Sequence, residues 1–273
     1  TYANSGDIET GDEASSGDIG SLSFEGSGTV TLGGDIQAGN SGTGSGGFNG
    51  SLNVASSATV AGNGNAVTVL SEIGSGARVA TVDGTVAGAL ALDLTGASAT
   101  GGVGGTGSIS SLTASLDGSG SNSSDLNVSD ELSITDATFN TNTSDNDVNL
   151  SSGSVEITNS LSASGGGDVN FPENGLSSVT GAASFSGANA VFNRSVAFDS
   201  TFSATNANAT IGTGNFDIVL NGESVVFGNG LSFTSDGNRA VSLSGSSAQT
   251  LTGHHSNTGR RLVIDNSSGV TLH

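Results

Sequence analysis

Three short segments repeat one chemical pattern. Asp125-Leu126-Asn127-Val128, Asp147-Val148-Asn149-Leu150 and Asp168-Val169-Asn170-Phe171 each read Asp-apolar-Asn-apolar, 22 and 21 residues apart. Alternate residues of an extended strand point to opposite sides, so with the apolar pair facing a core the Asp and Asn face outward. Stacking the three segments then lines up Asp125, Asp147 and Asp168 in one row and the three Asn amides in another. The amide row is favourable, because each amide bonds to the next. A row of like charges about 5 Å apart is unfavourable unless a cation or water intervenes. The chemistry open to such a row is the binding of a hard cation, and oxygen ligands of this kind suit calcium. The same residues suit a solvated edge at a turn better, because Asp and Asn are common there anyway. Two established calcium signatures do not match. Gly165-Gly166-Gly167-Asp168 only echoes the nine-residue β-roll repeat and does not recur. Asp145-Asn146-Asp147 lacks the glycine and the distal Glu of an EF-hand loop.

The remaining candidates are weaker. His254-His255 with Arg260-Arg261 is the one basic cluster. Neighbouring strand residues face opposite ways, which suits an exposed turn or contact with an acidic neighbour better than a metal. Asp130-Glu131 is a carboxylate pair of the kind used in acid–base catalysis. With 25 acids in 273 residues, however, such adjacency arises by chance. Polysaccharide-cleaving solenoids need clustered Asp with Arg or Lys, and aromatic platforms for sugar. This chain has no Lys, no Trp, one Tyr and scattered Arg. No nucleophile elbow, phosphate loop or dinucleotide fingerprint is present. The chain is therefore expected not to be an enzyme and to have no catalytic residues.

The elements that must position the acid row follow from a hydrophobic period. Val128, Leu150, Phe171, Phe192, Ile211, Leu231, Leu251 and Leu272 recur at spacings between 19 and 22 residues. A second column reads Ile134, Ile157, Val179, Phe198, Ile218, Leu243 and Ile264. A fixed period of this size marks stacked repeats that bury their apolar faces against one another. Within each repeat, apolar residues two apart are separated by Gly, Asn, Asp and Ser, the pattern of short strands joined by turns. The expected fold is all-β: a parallel β-solenoid (β-helix) with coils of about 21 residues and about three short strands each. The preference of parallel crossovers favours right-handed winding. Residues 109–273 read as regular coils. Residues 19–108 read as irregular solenoid with Gly-rich loops, and residues 1–18 as a loose or assembly-related segment. In the irregular part, Ser21-Leu22-Ser23-Phe24 with Val30 matches Ser51-Leu52-Asn53-Val54 with Val60 at an offset of 30. Segments 38–50 and 95–108 are Gly-rich enough to be loose loops.

Composition limits the partners. The five cationic residues are all Arg, and the net charge is -20. Such a chain repels phosphates and anionic lipid headgroups, so neither nucleic acid nor direct membrane insertion is expected. There is no Cys, hence no disulfide and no thiolate metal site. No apolar stretch approaches the roughly 20 residues of a membrane-spanning helix. Low aromatic content and abundant Gly, Ser and Asn resemble a disordered composition, but disorder does not require the periodic apolar register. The chain opens on Thr and closes on an apolar strand-like segment, so the natural protein is expected to continue.

The tail, Gly245-Ser-Ser-Ala-Gln249-Thr-Leu-Thr-Gly253 and then Arg261-Leu-Val-Ile-Asp-Asn-Ser-Ser-Gly269-Val-Thr-Leu272, resembles repeats of large secreted bacterial surface proteins. These are the adhesin-like and autotransporter-passenger β-solenoids. The resemblance implies an extracellular or cell-surface location and no catalytic residues. The expected function is a non-enzymatic structural subunit or segment of a surface fibre, sheath, layer or adhesin stalk. It would polymerise with itself by end-to-end β-stacking or contact neighbouring surface proteins. The alternative is a glycan-binding or glycan-cleaving solenoid of the tailspike or lyase kind.

Overall fold

The structure is a computed structural model. It describes residues 2–3, 8–10, 20–39, 50–71, 77–95, 99–117, 124–142, 146–205, 210–213, 216–234, 240–258 and 261–273. Most of segment 1–18 and of the loop at 38–50 lies outside these residues. The described residues form 28 strands and no helix. The strands pair in parallel with the equivalent strand of the next coil, as in a β-solenoid.

Each full coil contributes to three stacks. The first runs through Ser21–Phe24, Ser51–Val54, Ala77–Val82, Ala99–Gly104, Ser124–Val128, Val148–Leu150, Asp168–Phe171, Asn189–Phe192 and Thr210–Thr213. The second passes through Val30, Val60, Val86, Ile109, Ile134 and Ile157. It continues through Val179, Phe198, Leu220, Leu243 and Ile264. The third passes through Ile36, Val67, Leu90, Leu112, Ala137, Leu161, Ala183, Phe202, Val225, Leu251 and Leu272. The offset of 30 between Leu22 and Leu52 is the true register there. The stacks continue across residue 108.

The register corrects the two apolar columns beyond Phe192. Thr213 lies on Phe192, whereas Ile211 lies on Ala190. Leu231 pairs with His255, and Leu251 and Leu272 belong to the third stack. In the second column Ile218 lies on Val196, and Leu220 is the residue that follows Phe198. The physical reason is the period of two. A slip of two residues keeps every side chain on its face, so coils with unequal turns preserve an apolar period while changing which residue stacks on which. The described part of segment 95–108 is also not a loose loop, because Ala99–Gly104 and the start of Ser108–Asp117 are strands. Gly101 packs on the preceding coil: a Cβ there would lie 2.8 Å from Leu94 Cδ1.

Inward residues fill a narrow core of Val, Leu, Ile and Ala, with phenylalanines concentrated in the middle coils. Phe198 is their centre. Its ring meets Phe202 at 5.0 Å, Phe192 at 6.0 Å, Phe171 at 6.2 Å and Phe185 at 6.4 Å between centroids. Phe171 and Phe192 stack at 4.7 Å in successive coils. Aromatic pairs of this geometry add about 0.5–1.5 kcal/mol each beyond their burial.

Candidate functional site

The acid row forms as the spacing predicts. Asp125, Asp147 and Asp168 all lie on the outer face of the first stack, half-buried, while Leu126, Val148 and Val169 beside them are buried. The second and third segments are each entered through a bond to the carboxylate of the coil before. Asp147 N donates to Asp125 Oδ1 at 3.1 Å, and Asp168 N donates to Asp147 Oδ1 at 3.1 Å. Asn189 ends the row, its Nδ2 donating to Asp168 Oδ1 at 2.9 Å. Beside it runs the amide row, in which Asn170 Nδ2 donates to Asn149 Oδ1 at 3.0 Å. The carboxylates thus act as acceptors for backbone N–H groups along the axis. Among the described residues no group of three or more His, Cys, Asp or Glu converges as a metal cage.

Electrostatically the middle of the row is the strained member. Burial pushes the Asp147 carboxyl above the ordinary Asp value of 3.8. The Asp168 N–H pulls it back, the charges of Asp168 and Asp125 push it up further, and the Asn170 amide lowers it. Asp93, on the third stack, is also raised by burial and by the nearby Asp117 charge.

The same use of carboxylates recurs at the corners. Asp35 Oδ1 accepts from Ala66 N at 2.8 Å, Asp83 Oδ1 from Thr106 N at 3.1 Å, and Asp217 Oδ1 from Ala240 N at 2.9 Å. Side-chain amides do the complementary work: Asn159 Nδ2 donates to Asp136 Oδ1, and Asn221 Nδ2 to Asp199 Oδ1, both at 2.7 Å. Each bond joins one coil to the next. Sequence reasoning found this pattern only where the coils are regular.

Asp130 and Glu131, the candidate acid–base pair, separate in role. Asp130 Oδ2 lies 2.6 Å from Arg78 Nη1 and accepts from Gly105 N at 3.1 Å. Gly104 lies beneath this contact, and a Cβ on it would meet Asp130 Oδ2 at 2.6 Å. Glu131 is exposed. In the basic cluster, His254 and His255 lie on strand Gln249–Thr258, Arg261 is exposed at the start of the next strand, and Arg260 lies outside the described residues.

The sequence did not single out Gln249 as a site residue, yet it is the best-connected buried polar side chain of the last coils. It is 1% exposed. Its Nε2 donates to Leu220 O at 2.9 Å and Gly222 O at 2.8 Å, and its Oε1 accepts from Gly245 N at 3.2 Å and Asn266 Nδ2 at 2.8 Å. Gly245, Gln249 and Asn266 thus form a corner clasp that joins three successive coils. Next to the clasp, the corners Asp199–Thr201, Asn221–Glu223 and Ser246–Ser247 line a polar trough of about 350 Å³. Among the described residues, the buried side-chain nitrogen or oxygen without a hydrogen-bond partner is Arg194 Nε, which is not in the trough.

No described helix is long and apolar enough to cross a membrane. Comparison of the chain with protein-family models, with curated proteins and with solved structures finds no match.

Proposed function

We propose that this chain is a non-enzymatic structural protein of the cell surface or extracellular space, a subunit or segment of a fibre, sheath, layer or adhesin stalk. The observation that supports this reading is the direction of its polar bonds. Outer acids and amides bond along the axis from coil to coil, at Asp125–Asp147–Asp168–Asn189, at Asp136–Asn159, at Asp199–Asn221 and at the Gln249 clasp. Side chains used this way add axial cohesion to the backbone ladders, as a rod under tension requires. Stacking of a further coil is the second part of the reading. A parallel stack leaves unpaired strand edges at its axial ends, and these accept a further coil from this or another polypeptide. Negative-stain microscopy of the purified chain over a concentration series tests this. Rods that lengthen with concentration support it, and single short particles throughout, matched by a constant monomer mass in gel filtration, remove the polymer part.

A second reading is a glycan-binding solenoid, favoured by the polar trough at Asp199–Thr201 and Asn221–Glu223. Carboxylate, amide and hydroxyl groups are the partners that sugar hydroxyls use. A glycan array probed with wild type and with a Glu223→Gln, Asp199→Asn variant decides it. Binding lost in the variant supports the trough, and a blank array rejects it.

A further inference from the structure

We infer that Asn63-Gly64 is a self-modification site, at which water converts the Asn63 side-chain amide to an aspartyl or isoaspartyl product while the coils stay stacked. The sequence holds five Asn-Gly pairs, at 49–50, 63–64, 174–175, 221–222 and 229–230. The pair at 63–64 is set apart by its place in the fold. Strand Ala58–Ser71 pairs with the coils on both sides through Thr59–Ala61 and again through Val67–Val69. Residues 62–65 have no register partner in either coil, so they bulge out between the second and third stacks. The base of the bulge is held. Gly62 packs on Gly88 of the next coil, where a Cβ on Gly62 would lie 2.9 Å from Gly88 Cα. Asn65 Nδ2 donates to Leu32 O at 3.1 Å, and Ala66 N donates to Asp35 Oδ1 at 2.8 Å.

The tip of the bulge stands clear of the coils. Asn63 (φ 50°) and Gly64 (φ 88°) both lie in the left-handed region, as the two central residues of an Asn-Gly turn do. Both are exposed, and a Cβ built on Gly64 would meet nothing within 4 Å. Among the described residues none bonds to the Asn63 amide. The reaction needs this freedom. Gly64 N attacks Asn63 Cγ, and the new C–N bond closes a succinimide ring. The Cγ–Nδ2 bond breaks, and ammonia leaves carrying the proton lost from Gly64 N. Water then opens the ring at one carbonyl or the other, which gives the aspartyl or the isoaspartyl product. No electrons are transferred, and water is the sole co-reactant. Glycine at the attacking position matters, because it has no Cβ to block the close approach.

Two other pairs are held out of this geometry. At Asn174-Gly175, Gly175 N donates to Pro172 O at 2.8 Å, and Gly175 is buried against the Leu150 carbonyl and the Pro172 ring. At Asn221-Gly222, Asn221 Nδ2 donates to Asp199 Oδ1 at 2.7 Å, and Gly222 is buried against Ser200. Reaction at either pair must first undo those contacts. Asn49 and the side chain of Asn229 lie outside the described residues. The products at position 63 suit the fold. An aspartyl residue tolerates the left-handed region as Asn does. An isoaspartyl residue lengthens the backbone by one methylene, which the bulge absorbs because no strand pairs with it. Either product is ionised at neutral pH and adds one negative charge to the net -20. The site does not depend on where the protein works, so its failure would leave the structural reading standing.

The test is peptide mapping by mass spectrometry of the full chain, incubated folded and in denaturant in the same mildly alkaline buffer. In the folded chain the amide-to-acid mass gain is expected at position 63 roughly tenfold faster than at 174 or 221, with isoaspartyl among the products. In denaturant the three positions are expected to react at similar rates. Equal rates at the three positions of the folded chain, or position 174 or 221 reacting first, would overturn the proposal. So would a position 63 that reacts in denaturant and stays unchanged in the folded chain. The same lead for position 63 in denaturant would trace it to local sequence and reject the role of the fold. Circular dichroism and the unfolding midpoint of the converted chain are expected to match those of fresh protein. A lost β signal after conversion rejects the claim that the coils tolerate the product.

Discussion

Cohesion at the scale of single residues depends on a few side chains that span coils. Phe198 touches four other phenylalanine rings, so Phe198→Ala removes the centre of the aromatic core. The expected cost is about 3–5 kcal/mol in chemical denaturation. Gln249 satisfies two carbonyls and one backbone N–H of neighbouring turns. In Gln249→Leu those groups lose their partner, at a cost of about 1–3 kcal/mol, read as faster hydrogen exchange at Gly245. Gly222 is a steric requirement, since a Cβ there would run into the Ser200 carbonyl of the preceding coil. Gly222→Ala is expected to destabilise by about 1–3 kcal/mol, and an unchanged midpoint would show that the corner yields. The acid row was legible because Asp and Asn recur beside the same apolar pair at 22 and 21 residues. Gln249 was not legible as a clasp, because its partners are backbone groups that no residue type reveals.

Among elements, the coil is the unit of stability, as expected of a stack in which each repeat contacts its neighbours. Deleting residues 168–188, one coil length, joins Gly167 to Asn189 and places Ala190 where Val169 had packed on Val148. This deletion is expected to preserve the β circular-dichroism signal and cooperative unfolding. Deleting only residues 168–178 misaligns every later strand and should abolish both. Equal loss from the two deletions would contradict a stack of interchangeable coils. The coils from Leu126 to Phe192 were legible in the sequence because their turns are of similar length. Further on, a change of two residues in a turn leaves the period intact and shifts the register, which is how Ile211 and Ile218 came to be misplaced. The Arg78–Asp130 pair escaped for a related reason. Its partners are 52 residues apart, on either side of the intervening Gly104 strand, and no single period in that region leads from one to the other.

For the whole molecule, the chain combines a rod of axial bonds with a net charge of -20. Rods of one sign repel, so end-to-end stacking should strengthen as salt shortens the screening length from about 10 Å at 0.1 M to about 3 Å at 1 M. Light scattering across that range is expected to rise, and a flat or falling signal would set end-to-end stacking aside. The central claim is that the protein serves as a structural rod outside the cell. Its most direct test is immunogold electron microscopy of intact, unpermeabilised source cells with an antibody raised against this chain. The account predicts gold on extended fibres, stalks or a layer beyond the cell envelope. Gold found only in the cytoplasm after sectioning, with bare intact surfaces, would contradict it.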